Sequence, residues 1–202
     1  SVNVKTNTVD VSKAPSFLYM KGDANGWDGY DVLECINQEG TLFRGFMYLN
    51  QNGFKFCTQT DWNGTNYGAD FSTAGDAANI KMTEPAGYYQ VVVDLYKKTY
   101  TLTAINTIGI IGEAAPNGWA SDVDLTYNVE ERCWEIKNIE LKLGACKFRA
   151  NDSWDMQWGY DGEKFVFSNN APQEQFISEA GTYDIKLYAW ANGFAKCEFI
   201  KK

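Results

Sequence analysis

The sequence predicts an all-β protein made of two tandem β-sandwich domains, and three observations support this prediction. First, the 202-residue chain contains short segments rich in aromatic and β-branched residues, several of which alternate in polarity. Second, an apolar period of 3.6 residues is nowhere sustained along the chain. Third, one set of short motifs occurs twice in the same order. Short strands at close spacing, in a unit of this length, are typical of a β-sandwich.

The strand predictions rest on local composition. Segments 42–49, 87–93 and 99–103 combine aromatic or β-branched residues with period-two alternation. Near the C-terminus, Asn192-Gly193 predicts a type I′ hairpin turn, because both central residues of that turn need positive φ.

The internal repeat divides the chain. A Trp follows an Asn-Gly pair in both copies, and a second Trp follows a strand lysine by seven residues in both copies. The repeated pieces are 22–27 with 112–119, 54–68 with 146–159, and 86–89 with 180–183. We therefore predict one module over residues 15–105 and a second over 106–202, with residues 1–14 as a linker or the end of a preceding domain. Only Asn106-Thr107 connects the copies, so we expect the modules to pack together.

Composition excludes several classes of function. The chain has no histidine, so Ser-His and Cys-His catalysis and His-ligated metals are excluded. It has 18 basic and 26 acidic residues, and a net charge of −8 argues against a nucleic-acid partner. The five cysteines lack CxxC spacing, and we expect buried thiols, with a Cys146–Cys197 bridge left open.

The acidic residues give little support for an enzyme. A glycosidase needs two carboxyl groups at a set separation, but the acidic residues do not recur between copies as the Trp and Lys residues do. The acidic clusters also lack the EF-hand pattern. We therefore expect no catalytic residues, no metal and no cofactor.

The repeated Trp and Lys residues are the candidate binding residues. In each copy two Trp lie 35 residues apart, and alternation places the lysine on the outer face of its strand. An exposed indole stacks on the flat C–H face of a sugar, and an ammonium donates hydrogen bonds to its hydroxyls. Trp27 and Trp119 are equally suited to packing after a tight turn, and for Tyr67 and Trp158 a wall of the site and a structural lid both stay open. The candidates are Trp27, Lys55, Trp62, Trp119, Lys147 and Trp154, with Tyr67, Arg149 and Trp158 as possible additional contacts.

Motifs 22–27, 54–68 and 86–104, repeated at 112–119, 146–159 and 180–197, resemble the carbohydrate-binding repeats of SusE and SusF, starch-binding lipoproteins of the Bacteroides outer membrane. The resemblance implies two β-sandwich carbohydrate-binding modules without catalysis, each with an aromatic arc for a polysaccharide, starch or a related α-glucan. It places the arcs on Trp27 with Trp62 and on Trp119 with Trp154, and the basic groups on Lys55 and Lys147. Arg149 has Cys57 as its counterpart in the first copy, so this extra donor is not shared.

The resemblance also implies a location and a possible assembly. We expect a cell-surface protein of the outer membrane, and because Ser1 is not an initiator methionine, a lipid anchor on a segment before residue 1. The alternative function is a structural or docking component of an outer-membrane transporter complex for glycan uptake, without ligand binding of its own.

Overall fold

Strands form both halves of the molecule in the computed structural model, which describes residues 16–169 and 174–202. The strands of the first half are β1 (Phe17–Gly22), β2 (Asp31–Cys35), β3 (Leu42–Leu49), β4 (Phe54–Cys57), β5 (Asn66–Tyr67), β6 (Gly87–Asp94) and β7 (Thr99–Ala104). Those of the second half are β8 (Ile108–Ile111), β9 (Val123–Asn128), β10 (Cys133–Leu141), β11 (Gly144–Ala150), β12 (Gln157–Tyr160), β13 (Phe165–Ser168), β14 (Gln175–Ile177), β15 (Gly181–Tyr188) and β16 (Lys196–Lys201). Single 3-10 turns occur at Asp23–Asn25 and Ala69–Phe71. The all-β prediction is confirmed.

The two sheets repeat one strand order. The first has seven strands in the order β5-β4-β1-β2-β3-β6-β7, and the second has nine in the order β13-β12-β11-β8-β9-β10-β15-β16, with β14 paired to β11. Strand β8 lies between β11 and β9 as β1 lies between β4 and β2. The register makes Ile111 the equivalent of Lys21, and Arg149 the equivalent of Cys57.

Each sheet curls over a core of its own. In the first, Tyr100 of β7 lies 5.9 Å, between ring centroids, from both Phe54 and Phe56 of β4, so strands far apart in the sheet face each other. In the second, Phe148 of β11 and Phe199 of β16 lie 6.2 Å apart. This curling confirms two β-sandwich-like units. The division after residue 105 stays a prediction about folding units, and residues 1–14 lie outside the described residues.

The outer face of the first sheet packs against the second module. Along β3, Met47 and Leu49 point into the first core, and alternation turns Phe46 to the other face. Phe46 is nevertheless 1% exposed, because its ring lies 5.3 Å from that of Trp158 and 4.6 Å from that of Phe167. An aromatic ring of the first sheet therefore belongs to the core of the second module.

Hydrogen bonds hold the same junction. The Tyr88 hydroxyl donates to the carbonyl of Ala189 at 2.9 Å, across the two modules. Asn151 binds the connecting segment on both sides: its Oδ1 accepts from the N–H of Asn106 at 2.8 Å, and its Nδ2 donates to the carbonyl of Ala104 at 2.9 Å. The two modules are thus packed together, as the short connection suggested.

The hairpin turn predicted at Asn192-Gly193 is wrong. Strand β15 ends at Tyr188 and β16 begins at Lys196, so the connection is longer than two residues. Of the Asn-Gly pair, only Gly193 has positive φ, at 91°. The Asn192 side chain instead accepts from the N–H of Phe167 at 2.8 Å and donates to the carbonyl of Phe167 at 3.2 Å. Tertiary contacts therefore override the local preference for a tight turn.

The described residues contain neither a helix able to cross a bilayer nor a cluster of three or more metal-ligating His, Cys, Asp or Glu side chains. All five cysteines are free thiols, so the Cys146–Cys197 bridge is not formed. Burial raises the pKa of Cys57 to about 11 and that of Cys146 to about 12.

We expect five alkylated thiols when the protein is denatured without reductant and treated with iodoacetamide. In the native protein at pH 8, Cys57, Cys146 and Cys197 should react slowly, because burial raises the pKa of each thiol and leaves little thiolate at that pH. Intact mass spectrometry and peptide mapping measure both results. Three labels on the denatured, unreduced chain would instead indicate a disulfide.

Phe46→Ala should lower the free energy of unfolding by about 3–5 kcal/mol, because it leaves a cavity between the modules. Chemical denaturation followed by Trp fluorescence measures this change. Tyr96→Ala is the matched control: this ring is 83% exposed, so the change should be within about 0.5 kcal/mol. Equal effects of the two substitutions would contradict the packing role of Phe46.

Candidate functional site

The first repeated Trp lies on a tightly bonded turn after β1. The Asn25 side chain accepts from the N–H of Gly22 at 2.9 Å and donates to the carbonyl of Met20 at 3.0 Å. The N–H of Trp27 donates to the carbonyl of Gly22 at 2.9 Å, closing the turn. Gly22 is needed because a Cβ there would lie 2.6 Å from the Cβ of Phe54.

The second module reaches the same result with a longer turn. The N–H of Gly112 donates to the carbonyl of Gly118 at 3.0 Å, immediately before Trp119. Gly112 has φ of +137°, and a Cβ there would lie 2.4 Å from the carbonyl oxygen of Ala145. The glycine shared by both motifs therefore allows the turn to approach the neighbouring strand.

The second repeated Trp of each module is held through its backbone. The Asn66 side chain donates to the carbonyl of Trp62 at 3.0 Å, and the Gln157 side chain donates to the carbonyl of Trp154 at 2.8 Å. Sequence reasoning missed these two amides. The sequence pattern that could have revealed them is an amide residue three or four positions after the Trp in both copies.

The structure brings the two Trp residues of each copy together. Ring centroids of Trp27 and Trp62 lie 6.3 Å apart with an interplanar angle of 32°. Trp119 and Trp154 also lie 6.3 Å apart, at 40°. Trp62, Trp119 and Trp154 are 43%, 43% and 44% exposed, and Trp27 is half-buried. Each module thus presents two neighbouring, tilted indole rings to solvent.

A cation lies beside each pair, but the two cations come from different strands. In the first module the ammonium of Lys21 lies 5.0 Å from the centroid of the Trp62 ring, and its Nζ donates to the carbonyl of Thr60 at 2.8 Å. Sequence reasoning missed Lys21, because the repeat pairs it with Ile111. A cation over an indole face is itself a favourable contact.

In the second module Arg149 of β11 lies 4.5 Å from the centroid of the Trp154 ring. Asp122 holds this guanidinium, accepting from Nε at 2.8 Å and from Nη2 at 2.6 Å. Gly109, its neighbour across the sheet, leaves the room for this pair, because a Cβ there would lie 2.5 Å from the Cβ of Asp122.

The two strand lysines differ in their surroundings. Lys55 is half-buried and lines a groove of about 640 Å³ together with Trp62 and Asn66. Lys147 is only 7% exposed, and its Nζ lies 3.6 Å from Oε1 of Glu174. The expectation of an outward, accessible lysine therefore needs correction for the second module, where tertiary structure covers Lys147 and a carboxylate neutralises it.

The additional aromatic candidates are not equivalent. Trp158 is 0% exposed, and its ring packs on Phe46 and on Phe167 at 5.3 Å each. This burial removes Trp158 from the possible ligand contacts and assigns it to the core. Its counterpart Tyr67 is half-buried, with its ring 6.2 Å from that of Phe71.

Comparison with known families finds a match within the first half of the chain. Residues 17–103 match the family model described as SusF/SusE starch specific CBMs. This segment is similar to the carbohydrate-binding modules of SusF and SusE. The matched residues run from β1 into β7 and include Trp27, Lys55 and Trp62. No curated protein matches the chain.

The second Trp pair lies beyond the matched segment. The module that carries this pair repeats the strand order of the matched segment, and its two Trp rings have the same separation. The family resemblance inferred from the sequence is therefore confirmed over residues 17–103, and a polysaccharide of the starch class is the ligand type that the family description gives.

Gly112→Ala should lower the free energy of unfolding by about 2–4 kcal/mol, because it combines an unfavourable φ with a backbone clash. Gly118→Ala is the control: its φ is +61° and no atom lies within 4 Å of the added Cβ, so the cost should be about 1 kcal/mol. Thermal denaturation of both variants measures the difference. Equal costs would contradict the close approach at Gly112.

Proposed function

We propose that this protein binds starch or related α-glucans through both modules, without catalysis. The observation that carries the proposal is the tilted Trp pair, repeated with a ring separation of 6.3 Å in both modules. Successive sugar rings of an α-glucan turn relative to one another, and two indoles set at an angle suit such a curved ligand. The C–H faces of the sugars stack on the exposed ring faces.

The hydrogen-bond donors that we propose differ between the modules. In the first, the ammonium of Lys55 has no hydrogen bond or ion pair within the described part of the chain, and the side chain lines the groove beside Trp62. In the second, Lys147 is covered and paired with Glu174. The donor that we propose there is Arg149, which lies against the Trp154 ring and has a further guanidinium nitrogen besides the Nε and Nη2 that Asp122 binds. Lysine offers a single ammonium and arginine a planar fork, so the two sites should differ in affinity.

An open aromatic surface buries only part of its ligand, so each site should be weak. We expect dissociation constants from about millimolar to tens of micromolar, which is roughly −4 to −7 kcal/mol. Two sites on one rigid tandem gain apparent affinity for a polymer through effective concentration. This design suits a protein that retains a polysaccharide at the cell surface. We accordingly propose an outer-membrane, lipid-anchored location beside a glycan transporter.

Trp62→Ala and Trp154→Ala should each reduce retardation in a native gel that contains amylopectin, because each removes half of a stacking surface. The double variant should migrate as it does in a gel without polysaccharide. Tyr96→Ala is the matched control, since it removes an exposed ring remote in sequence from both pairs. A double variant retarded like the wild type would overturn the Trp-pair sites. Absence of wild-type binding to every glycan offered, with co-purification of a transporter complex, would favour a docking role.

A further inference from the structure

The first module's Trp27 turn is joined by side chains to the second module. Asp31, at the start of β2, is 8% exposed, and its Oδ2 accepts from Nδ2 of Asn25 at 3.0 Å. Its Oδ1 forms an ion pair with Arg132 of the second module. Asn25 is the residue that binds Gly22 and Met20 within the turn. Arg132 is therefore two contacts away from the turn that carries Trp27.

Every polar group of the Asn25 amide is used in this arrangement. One Nδ2 hydrogen is available for the carbonyl of Met20 and the other for Asp31, and Oδ1 accepts from the N–H of Gly22. A flipped amide would direct its oxygen at two acceptors, the Met20 carbonyl and the Asp31 carboxylate, and would lose both hydrogen bonds. Displacing the Asp31 carboxylate would thus leave a donor of Asn25 unpaired and would loosen the turn.

Arg132 pairs with that carboxylate and opposes the effect of burial on it. Burial raises the pKa of Asp31, and the nearby guanidinium acts in the opposite direction. Without the guanidinium, the buried carboxylate would move toward water or take up a proton. Arg132 is itself held in the β9–β10 turn, where its carbonyl accepts from the indole N–H of Trp190 at 3.3 Å.

The second module lacks this connection. By register, Met20 pairs with Asp31 in the first module, whereas Ile110 pairs with Val123 in the second. The counterpart of Asp31 in the second module is therefore Val123, an apolar residue. In the Trp119 turn, Ala114 and Ala115 are buried, and the Asn117 amide donates to the backbone carbonyl of Asp122 at 3.4 Å. The two sites should accordingly depend on the module junction in different ways.

We propose that Arg132 of the second module is a positioning residue for the glycan site of the first module, acting through Asp31 and Asn25 on the Trp27 turn. This inference rests on the proposed function. The junction between the modules is then part of the first site, because Arg132 of the second module holds the carboxylate to which Asn25 of the Trp27 turn is bonded. The second Trp pair has no counterpart of this path, because Val123 stands at the position of Asp31.

The test uses the full chain with Trp154→Ala, so that binding of maltoheptaose reports the first site. Adding Arg132→Met should weaken binding about 5- to 10-fold, and Arg132→Lys should restore part of the loss. In the Trp62→Ala chain, which reports the second site, Arg132→Met should change binding less than twofold. Isothermal titration calorimetry measures binding to all five chains.

A control separates positioning from general loosening of the junction. Tyr88→Phe deletes the hydrogen bond to Ala189 and leaves Asp31 and Arg132 intact. It should leave first-site binding unchanged. In addition, Arg132→Met should shift the side-chain amide signals of Asn25 and the indole signal of Trp27 in NMR spectra without ligand, and leave the Trp119 indole signal in place.

Two results would overturn the positioning role. One is unchanged binding and unchanged Asn25 and Trp27 signals in Arg132→Met. The other is an equal loss of binding in Tyr88→Phe. If the Trp154→Ala chain itself ignores maltoheptaose, amylose and amylopectin, then the proposed function of the first site fails, and the positioning role fails with it.

Discussion

The packing of Phe46 into the second module is the interaction on which the arrangement of this protein depends. A residue that alternation places on the outer face of a sheet is 1% exposed, because Trp158 and Phe167 cover it. This contact joins two modules that each curl over a core of their own, so the tandem has a continuous apolar junction. It also decides which aromatic residues remain for a ligand, since the same contact that buries Phe46 buries Trp158.

The two modules reach one ring geometry by different local means. Both hold the paired indoles at 6.3 Å, and both bind the second Trp through a side-chain amide. The accompanying cation comes from β1 in one module and from β11 in the other. In the second module, Arg149 needs Asp122 as its partner and Gly109 as the space beside it. Both modules therefore place a cation against the second Trp ring, but the cation is Lys21 in the first module and Arg149 in the second.

Sequence reasoning predicted the site where the signal was local. The Trp pairs were predictable because each Trp lies in a short motif whose order and spacing recur. Lys21 was missed because its role depends on the Thr60 carbonyl and the Trp62 ring, which reach it only in the folded module. Lys147 was predicted as accessible because alternation describes a single strand. Alternation carries no information about Glu174, which the pairing of β14 with β11 brings beside Lys147.

The sequence by itself determined the all-β class, the two-fold repeat and the residues of the Trp pairs, because polarity alternation and turn motifs act over a few residues. Only the tertiary structure decided how the two copies use those residues. It placed Trp158 in the core and bonded Asn192 to the backbone of Phe167 instead of forming a tight hairpin turn. It also brought Arg132 to Asp31, about a hundred residues away. Burial and ion pairing between distant segments depend on how whole sheets pack, and local sequence patterns do not specify that packing.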